Sequence, residues 1–329
     1  MSFLFEPFRH NWLQYSDLFD RFASTLTFTM DLDESFFCGL KFDSDSLLHY
    51  RISAARSAAS QLGDNPVLCL SGGIDSQAMI QAWVEAGIKF DTAIGVFNNG
   101  LNAQDSDHAL MFCREVGIDP IIVDIDVVNF LTRDNRMYGE KYRCTSPHFI
   151  THYKMFDMLQ DMGYTGICTG GNAFAKGADG WGPAPSPAQM NHVEYSRLNE
   201  FPVIGNFLGY DPELCWTIAL LTPMHPTVWL NSVDPSAHQL ALSREVRYST
   251  KIEGYQNHGF NIIPQDKKYT GFELVKDYFA EKFNDGWTFE KKFRHPLEKM
   301  FGNAGGKLVF TDEQLNMVEK LYHQNGFSS

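Results

Sequence analysis

Residues 71–76 read SGGIDS and follow a short apolar run, Val67 to Leu70, with a stretch of helical character behind them. A turn from strand to helix needs only one glycine and a capping residue. Two adjacent glycines, Gly72 and Gly73, do more: with no Cβ in the way, their backbone can come close to an anion. The unpaired N–H groups of a helix start carry partial positive charge and attract anions. Ser71 and Ser76 add hydroxyl groups. Asp75 would repel a phosphate unless a divalent cation sits between them. Together these residues specify a cradle for a magnesium–polyphosphate group. The motif is neither the dinucleotide GxGxxG nor a Walker A loop. The one near-match to the latter, GNAGGKL at 302–308, has the wrong spacing and no hydroxyl residue after Lys307.

Other reactive residue types carry weaker patterns. His148 and His152 lie four apart in PHFITHYK, but the glutamate of a zinc-protease HExxH is missing. They are expected to line a cleft or to pack locally. Arg143 is a candidate for a substrate anion, and Cys144 beside it has no identifiable base. Cys69 and Cys168 fall inside apolar runs and read as small core residues. FPVIGNFLGY (201–210) reads as core packing.

The elements that must position the cradle alternate. Expected strands at 67–70, 92–97, 120–124 and 164–168 are separated by expected helices at 76–86, 105–116 and 147–162. Such alternation predicts an α/β fold: an open parallel sheet with right-handed crossovers and helices on both faces. Nearly all-apolar strands such as VLCL fit burial on both sides. Before this core, the runs 26–30 and 36–42 around DLDES predict a β-hairpin, and 49–62 a helix. After it, 174–187 (FAKGADGWGPAPSP) reads as a lid or binding loop. Helices are then expected at 212–221, 236–248, 270–283 and 311–324. The division predicted is 1–62 for the hairpin and helix, 63–175 for a nucleotide-binding core, and 176–329 for the lid loop and a mostly helical region packed on that core.

Composition sets limits. The 329 residues are 44% hydrophobic and 20% charged, as in ordinary water-exposed globules. A net charge of −13 argues against broad nucleic-acid binding, which needs clustered Lys and Arg. No apolar run is long enough to span a bilayer. Six scattered cysteines without a CxxC pair fit a reducing cytoplasm, the expected location.

Residues 67–87 resemble the PP-loop of the ATP-pyrophosphatase superfamily, whose signature is SGGxDS. The resemblance implies cleavage of ATP between its α and β phosphates, adenylation of a carboxylate or carbonyl oxygen, and displacement of AMP by a nitrogen or sulfur nucleophile. It places Ser71, Gly72, Gly73 and Ser76 on the pyrophosphate part of ATP, with Leu70 also in the nucleotide site, and Asp75 on its magnesium. The backbone at Val96 and Phe97 would meet adenine. Three further blocks stand in the order seen in asparagine synthetases: ICTGGNAF (167–174), SREVRYSTKI (243–252) and KKYTGFE (267–273). By that likeness Gly170, Gly171 and Asn172 complete the nucleotide site. Glu245 and Arg247 face the acceptor or pyrophosphate, and Lys268 or Lys267 neutralises the α-phosphate as charge builds there. TGGNA lacks the family's second magnesium-binding acid, for which Asp179 could substitute. About 65 residues precede the loop, too few for the family's glutaminase domain. The implied enzyme is an AMP-forming, ATP- and Mg²⁺-dependent amide ligase acting on a small carboxylate. Its nitrogen would come from ammonia, an amine or a partner subunit, with no membrane or nucleic-acid partner and the oligomeric state left open. The alternatives are a sulfur- or nucleobase-modifying PP-loop enzyme, or a non-catalytic adenine-nucleotide binder.

Overall fold

Strand β3 (Pro66–Cys69) is the middle of a five-stranded sheet, and its neighbours explain its composition. It pairs in parallel with β4 (Asp91–Phe97) on one side and with β6 (Gly166–Thr169) on the other. Outside these lie β5 (Ile121–Ile125) and the two-residue β9 (Val203–Ile204), also parallel. The order β5-β4-β3-β6-β9 makes the fold an open, doubly wound α/β sheet. Because each side chain along a strand faces the opposite side from the last, consecutive residues feed two cores. Leu68, Ile94, Cys168 and Ile204 join one core, and Val67, Ala93, Val123, Ile167 and Val203 the other. Both faces are therefore covered by helices, which is why the strands could be apolar throughout.

The computed structural model describes residues 6–15, 26–171, 175–177, 180–182, 190–223, 244–266, 271–283, 288–302 and 306–325. The first core is packed by α2 (Ser44–Leu62), α3 (Ile74–Glu85), α4 (Ala103–Val116) and α9 (Pro212–Leu221). α2 begins five residues before the expected start because Asp43 accepts from Ser46 N and caps it. The second core is packed by α5 (Val127–Arg133), α6 (Asn135–Lys141), α7 (Pro147–Asp161) and α8 (Met190–Asn199). Later elements α11 (Glu273–Lys282), a π-helical turn at Glu290–Arg294 and α12 (His295–Phe301) complete it. α5 and α6 fill the segment between β5 and α7, where Asp126 caps α5 by accepting from Asn129 N.

A buried tyrosine group fixes α7 against its neighbours. Asp157 of α7 accepts from Tyr138 of α6 and from Tyr195 of α8, the latter at 2.7 Å. Tyr153 stacks on Tyr195 with ring centroids 5.5 Å apart. α8 is fastened to β9 as well, because Val203 N donates to Ser196 Oγ at 2.9 Å.

The expected small antiparallel pairing near the N-terminus is present, but with a different partner strand. Leu26–Met30 is indeed a strand (β2), but 36–42 is not its partner: Asp33 accepts from Phe36 N and starts helix α1 (Glu34–Gly39). β2 pairs antiparallel with β1 (Leu13–Tyr15) and parallel with β10 (Gly306–Val309), which precedes α13 (Asp312–Gln324). Within the expected lid loop lies a two-stranded ribbon, β7 (Ala175–Gly177) and β8 (Gly180–Gly182). The helix expected at 236–248 is α10 (Arg244–Asn257), which runs nine residues further; 236–243 lie outside the described residues. The fifth strand, β9, comes from beyond residue 175, so the sheet extends past the expected end of the core.

Candidate active site

The strand order reverses between β3 and β6, and in open parallel sheets ligands bind at the carboxyl ends of the strands at this point. Two glycine loops meet here, residues 70–73 after β3 and 170–171 after β6. Gly72 has φ +79°, and a Cβ on it would stand 2.4 Å from the carbonyl oxygen of Asp105. The loop can therefore tuck beneath the start of α4 only as glycine. A Cβ on Gly170 would stand 2.6 Å from Ser76 N, so the second loop lies directly against the first turn of α3.

That first turn is left open for a ligand. Gly73 caps α3 without any side-chain hydrogen bond, and the leading N–H groups of a helix have no intrahelical acceptor. Ser71 and Ser76 shape the loop: their hydroxyls are 3.2 Å apart, and Ser76 Oγ donates to Gly73 O at 2.8 Å.

α3 is held in place by a glutamine pair. The Gln77 side chain accepts from Ile263 N at 2.9 Å and donates to Ile263 O at 2.8 Å. Gln81, one turn on, accepts from Asn261 N and donates to Asn261 O. The segment 261–263 thus runs along α3 as a strand would along its partner. It delivers Gln265, whose amide donates to Asp105 Oδ1 at 3.2 Å. Burial pushes the Asp105 carboxyl up to about 6, against the opposing pull of Gln265, and its Oδ2 has no hydrogen-bond partner.

Asp75 is not bare. Lys251 of α10, its side chain 6% exposed, places Nζ 2.5 Å from Asp75 Oδ1, and the Tyr255 hydroxyl donates to the same oxygen. Tyr248, one turn earlier on that helix, accepts from Gln265 N at 3.2 Å. One face of α10, at positions 248, 251 and 255, therefore closes over the cradle. Sequence reading singled out this block for Glu245 and Arg247 and missed Lys251 and its two tyrosines. The signal was the spacing of 248, 251 and 255, which puts all three on one stripe of a helix. The backbone of Arg247 sits one turn before Lys251 on α10, and that of Glu245 one turn before Tyr248.

Magnesium fits here in a limited way. This ion commonly takes one or two carboxylates and draws its other ligands from phosphate and water. Both contacts on Asp75 fall on Oδ1, so Oδ2 is the oxygen that could serve. Among the described residues no group of three or more His, Cys, Asp or Glu is placed to hold a metal. Asp179 and Asn172 lie outside the described residues, as do Lys267 and Lys268. Gln265 and Gly271, which flank those two lysines, both line the cavity described next.

A cavity of about 630 Å³ opens from the cradle. Leu70, Ser71, Gly73, Asp75, Ser76, Gly170 and Gly171 form one end. Gly72 lies behind the wall, against Asp105, and Phe97 belongs to the wall while Val96 does not. Val96 packs its side chain on the opposite core. Asn102 occupies the backbone at this strand end, accepting from Phe97 N and donating to Gly95 O, both at 2.8 Å. The Phe97 N–H is therefore already engaged by Asn102.

The far end is aromatic. His148 and His152 of α7 line it with His192 of α8, alongside Phe149, Phe156 and Phe272. The His148 and His152 rings are 4.5 Å apart, and His152 stacks on His192 at 5.7 Å. Burial lowers all three imidazoles, His148 to about 4, His192 to about 3 and His152 well below its ordinary value, so they are neutral near pH 7. Cleft lining by His148 and His152 was expected from sequence; His192 was missed, because nothing in its own segment marks it.

No family model matches the chain, and no curated protein matches it. Solved structures do. NMN synthetase from Francisella tularensis matches at 13% identity over 87% of this chain and 95% of that one, with a TM-score of 0.36. The U34-tRNA thiolase NcsA from Methanococcus maripaludis, solved with its [4Fe-4S] cluster, matches at 13% identity over 88% and 92%, TM-score 0.32. An NH3-dependent NAD synthetase from Campylobacter jejuni matches at 12% identity over 69% and 100%, TM-score 0.32. Superpositions this loose fix no residue's role.

Proposed function

We propose that the chain is an ATP-dependent, AMP-forming ligase of the PP-loop type, which adenylates a carboxylate and passes the acyl group to ammonia or an amine. The observation that carries this reading is the meeting of two glycine loops at the sheet's switch point, with no room for a Cβ between Gly170 and Ser76 N and with no side-chain cap on the α3 turn. The α3 N–H groups and the hydroxyls of Ser71 and Ser76 bind the β and γ phosphates, so that pyrophosphate leaves toward the helix start. Lys251 holds Asp75 in position and supplies positive charge beside that leaving group. A magnesium ion arriving with ATP would take Asp75 as its protein ligand and neutralise phosphate charge. Lys268, or Lys267, Arg247 and Glu245 serve the α-phosphate and the acceptor, as the resemblance to asparagine synthetases implies. The mixed anhydride forms in the closed part of the cavity, away from water that would hydrolyse it.

Sulfur transfer through this chain's own thiols is disfavoured. Cys69 is the cysteine that reaches the cavity, and burial pushes its thiol up to about 12, so it is no thiolate at neutral pH.

Incubation with ATP, Mg²⁺ and a panel of carboxylic acids tests the proposal. Acid-stimulated production of AMP and pyrophosphate is expected. Release of ADP and phosphate, or binding of ATP with no turnover under any acid, would remove it.

A further inference from the structure

We propose that the histidine-lined end of the cavity is the acceptor site, and that it takes an aromatic or nitrogen-heteroaromatic carboxylic acid rather than an amino acid such as aspartate. This rests on the adenylation reading above, but the pocket's chemistry is independent of it. His192 is 2% exposed and lines the cavity; its Nδ1 lies against the Gly205 backbone, while its Nε2, like Nδ1 of His152, has no hydrogen-bond partner. Leaving such groups unsatisfied is costly, so the arrangement is built for a partner that brings hydrogen bonds of its own. A neutral imidazole offers one donor and one acceptor. The matching ligand edge carries both, as the ring nitrogens and amide-like groups of heterocycles do.

The walls argue for a flat body. Phe149 lies 5.3 Å from His192 and Phe156 also 5.3 Å from it, while Phe272 lies 5.0 Å from His148. Ring faces and edges surround the slot and favour an aromatic ring over a branched chain. Charge argues the same way. Aspartate would bring a second carboxylate and an ammonium besides its reacting group. Among the described residues the cavity's cations are already spent: Lys276 on Glu290 at 2.8 Å and Arg294 on Glu298 at 2.6 Å. Asp105 and Asp75, the cavity acids with an unused Oδ2, both belong to the cradle end, where the Asp105 backbone abuts Gly72. An unpaired charge among neutral imidazoles would pay heavily for lost water. A ring acid carries one carboxylate, which points to the cradle and loses its charge on adenylation.

Calorimetric titration of the full chain, saturated with α,β-methylene-ATP and Mg²⁺, tests this with nicotinate, indole-3-carboxylate, benzoate and aspartate as probes. At least one ring acid should bind about tenfold or more tightly than aspartate, the equivalent of one good hydrogen bond. His192→Phe keeps the ring and removes both nitrogens; it should weaken nicotinate about tenfold and leave the nucleotide within about twofold. His152→Phe repeats the test should the first variant misfold. Aspartate binding as well as the ring acids, or nicotinate binding unchanged in both variants, overturns the proposal. So does a parallel loss of nucleotide affinity, which would make the slot the adenine pocket. Ring-acid binding with no pyrophosphate from ATP keeps the acceptor site and removes adenylation.

Discussion

At one end of the cavity the wall is backbone and hydroxyl: Ser71, Gly73, Ser76 and Gly170, with a carboxylate already gripped by a lysine. At the other it is ring carbon and neutral imidazole, from His148, His152, His192 and the phenylalanines around them. The first end is built from contiguous residues on two loops, and its tolerance for change is set by space. The second is assembled from α7, α8 and the chain around Phe272, and its tolerance is set by proton and hydrogen-bond balance. A phosphate group asks for a fixed geometry; an acceptor asks for a shape and a polarity. The difference predicts that the two ends fail in different ways.

The largest effect is expected at Gly72. Gly72→Val forces a side chain into a left-handed backbone and into the Asp105 carbonyl, and should cost ~2–4 kcal/mol of stability and abolish ATP binding. Urea denaturation and calorimetry check it; a stable variant that binds ATP would mean that the loop is not held against α4. Next is Lys251→Met, which leaves Asp75 without its buried partner and should cost about 3 kcal/mol. Adding Asp75→Asn should recover much of that loss, a coupling that a double-mutant cycle measures directly.

The chamber should reveal itself through pH. Imidazoles whose folded values lie below the ordinary 6.5 take up protons more readily in the unfolded chain. Their neutrality therefore costs nothing above about pH 6.5, and stability falls as pH drops from there toward 4. His192→Phe should flatten that fall by about 1.4 kcal/mol per pH unit, seen as the difference between the two proteins' denaturation profiles from pH 7.5 to 5. Gly170→Ala should lower ATP affinity about tenfold by pushing the second loop off α3, with nicotinate binding less affected. Smallest is Cys69→Ala, expected to cost ~1 kcal/mol and leave ATP binding intact.

What the sequence shows and what it hides follow the same line. SGGIDS is legible because a strand, a glycine turn and a helix start are neighbours in the chain, and each residue's part in the turn is local. The alternating strands and helices were legible for the same reason, so the sheet's class could be foreseen. The hairpin partner of β2 could not: 36–42 alternates well enough for a strand, but Asp33 caps a helix there, and the true partners lie at 13–15 and 306–309. β9 was hidden by its length of two residues. His192 and Lys251 reach the site only after the chain has folded: His192 lies 40 residues from His152, and Lys251 176 residues from Asp75. Lys251 left a trace as a stripe on α10; His192 left none.

The small sheet of β1, β2 and β10 has a temporal meaning. Its central strand is made within the first thirty residues, yet one edge is not available until residue 309 has left the ribosome. The five strands of the large sheet are all complete by residue 204. The large sheet can therefore form before β10 exists, and until then β2 keeps an unsatisfied edge that needs protection.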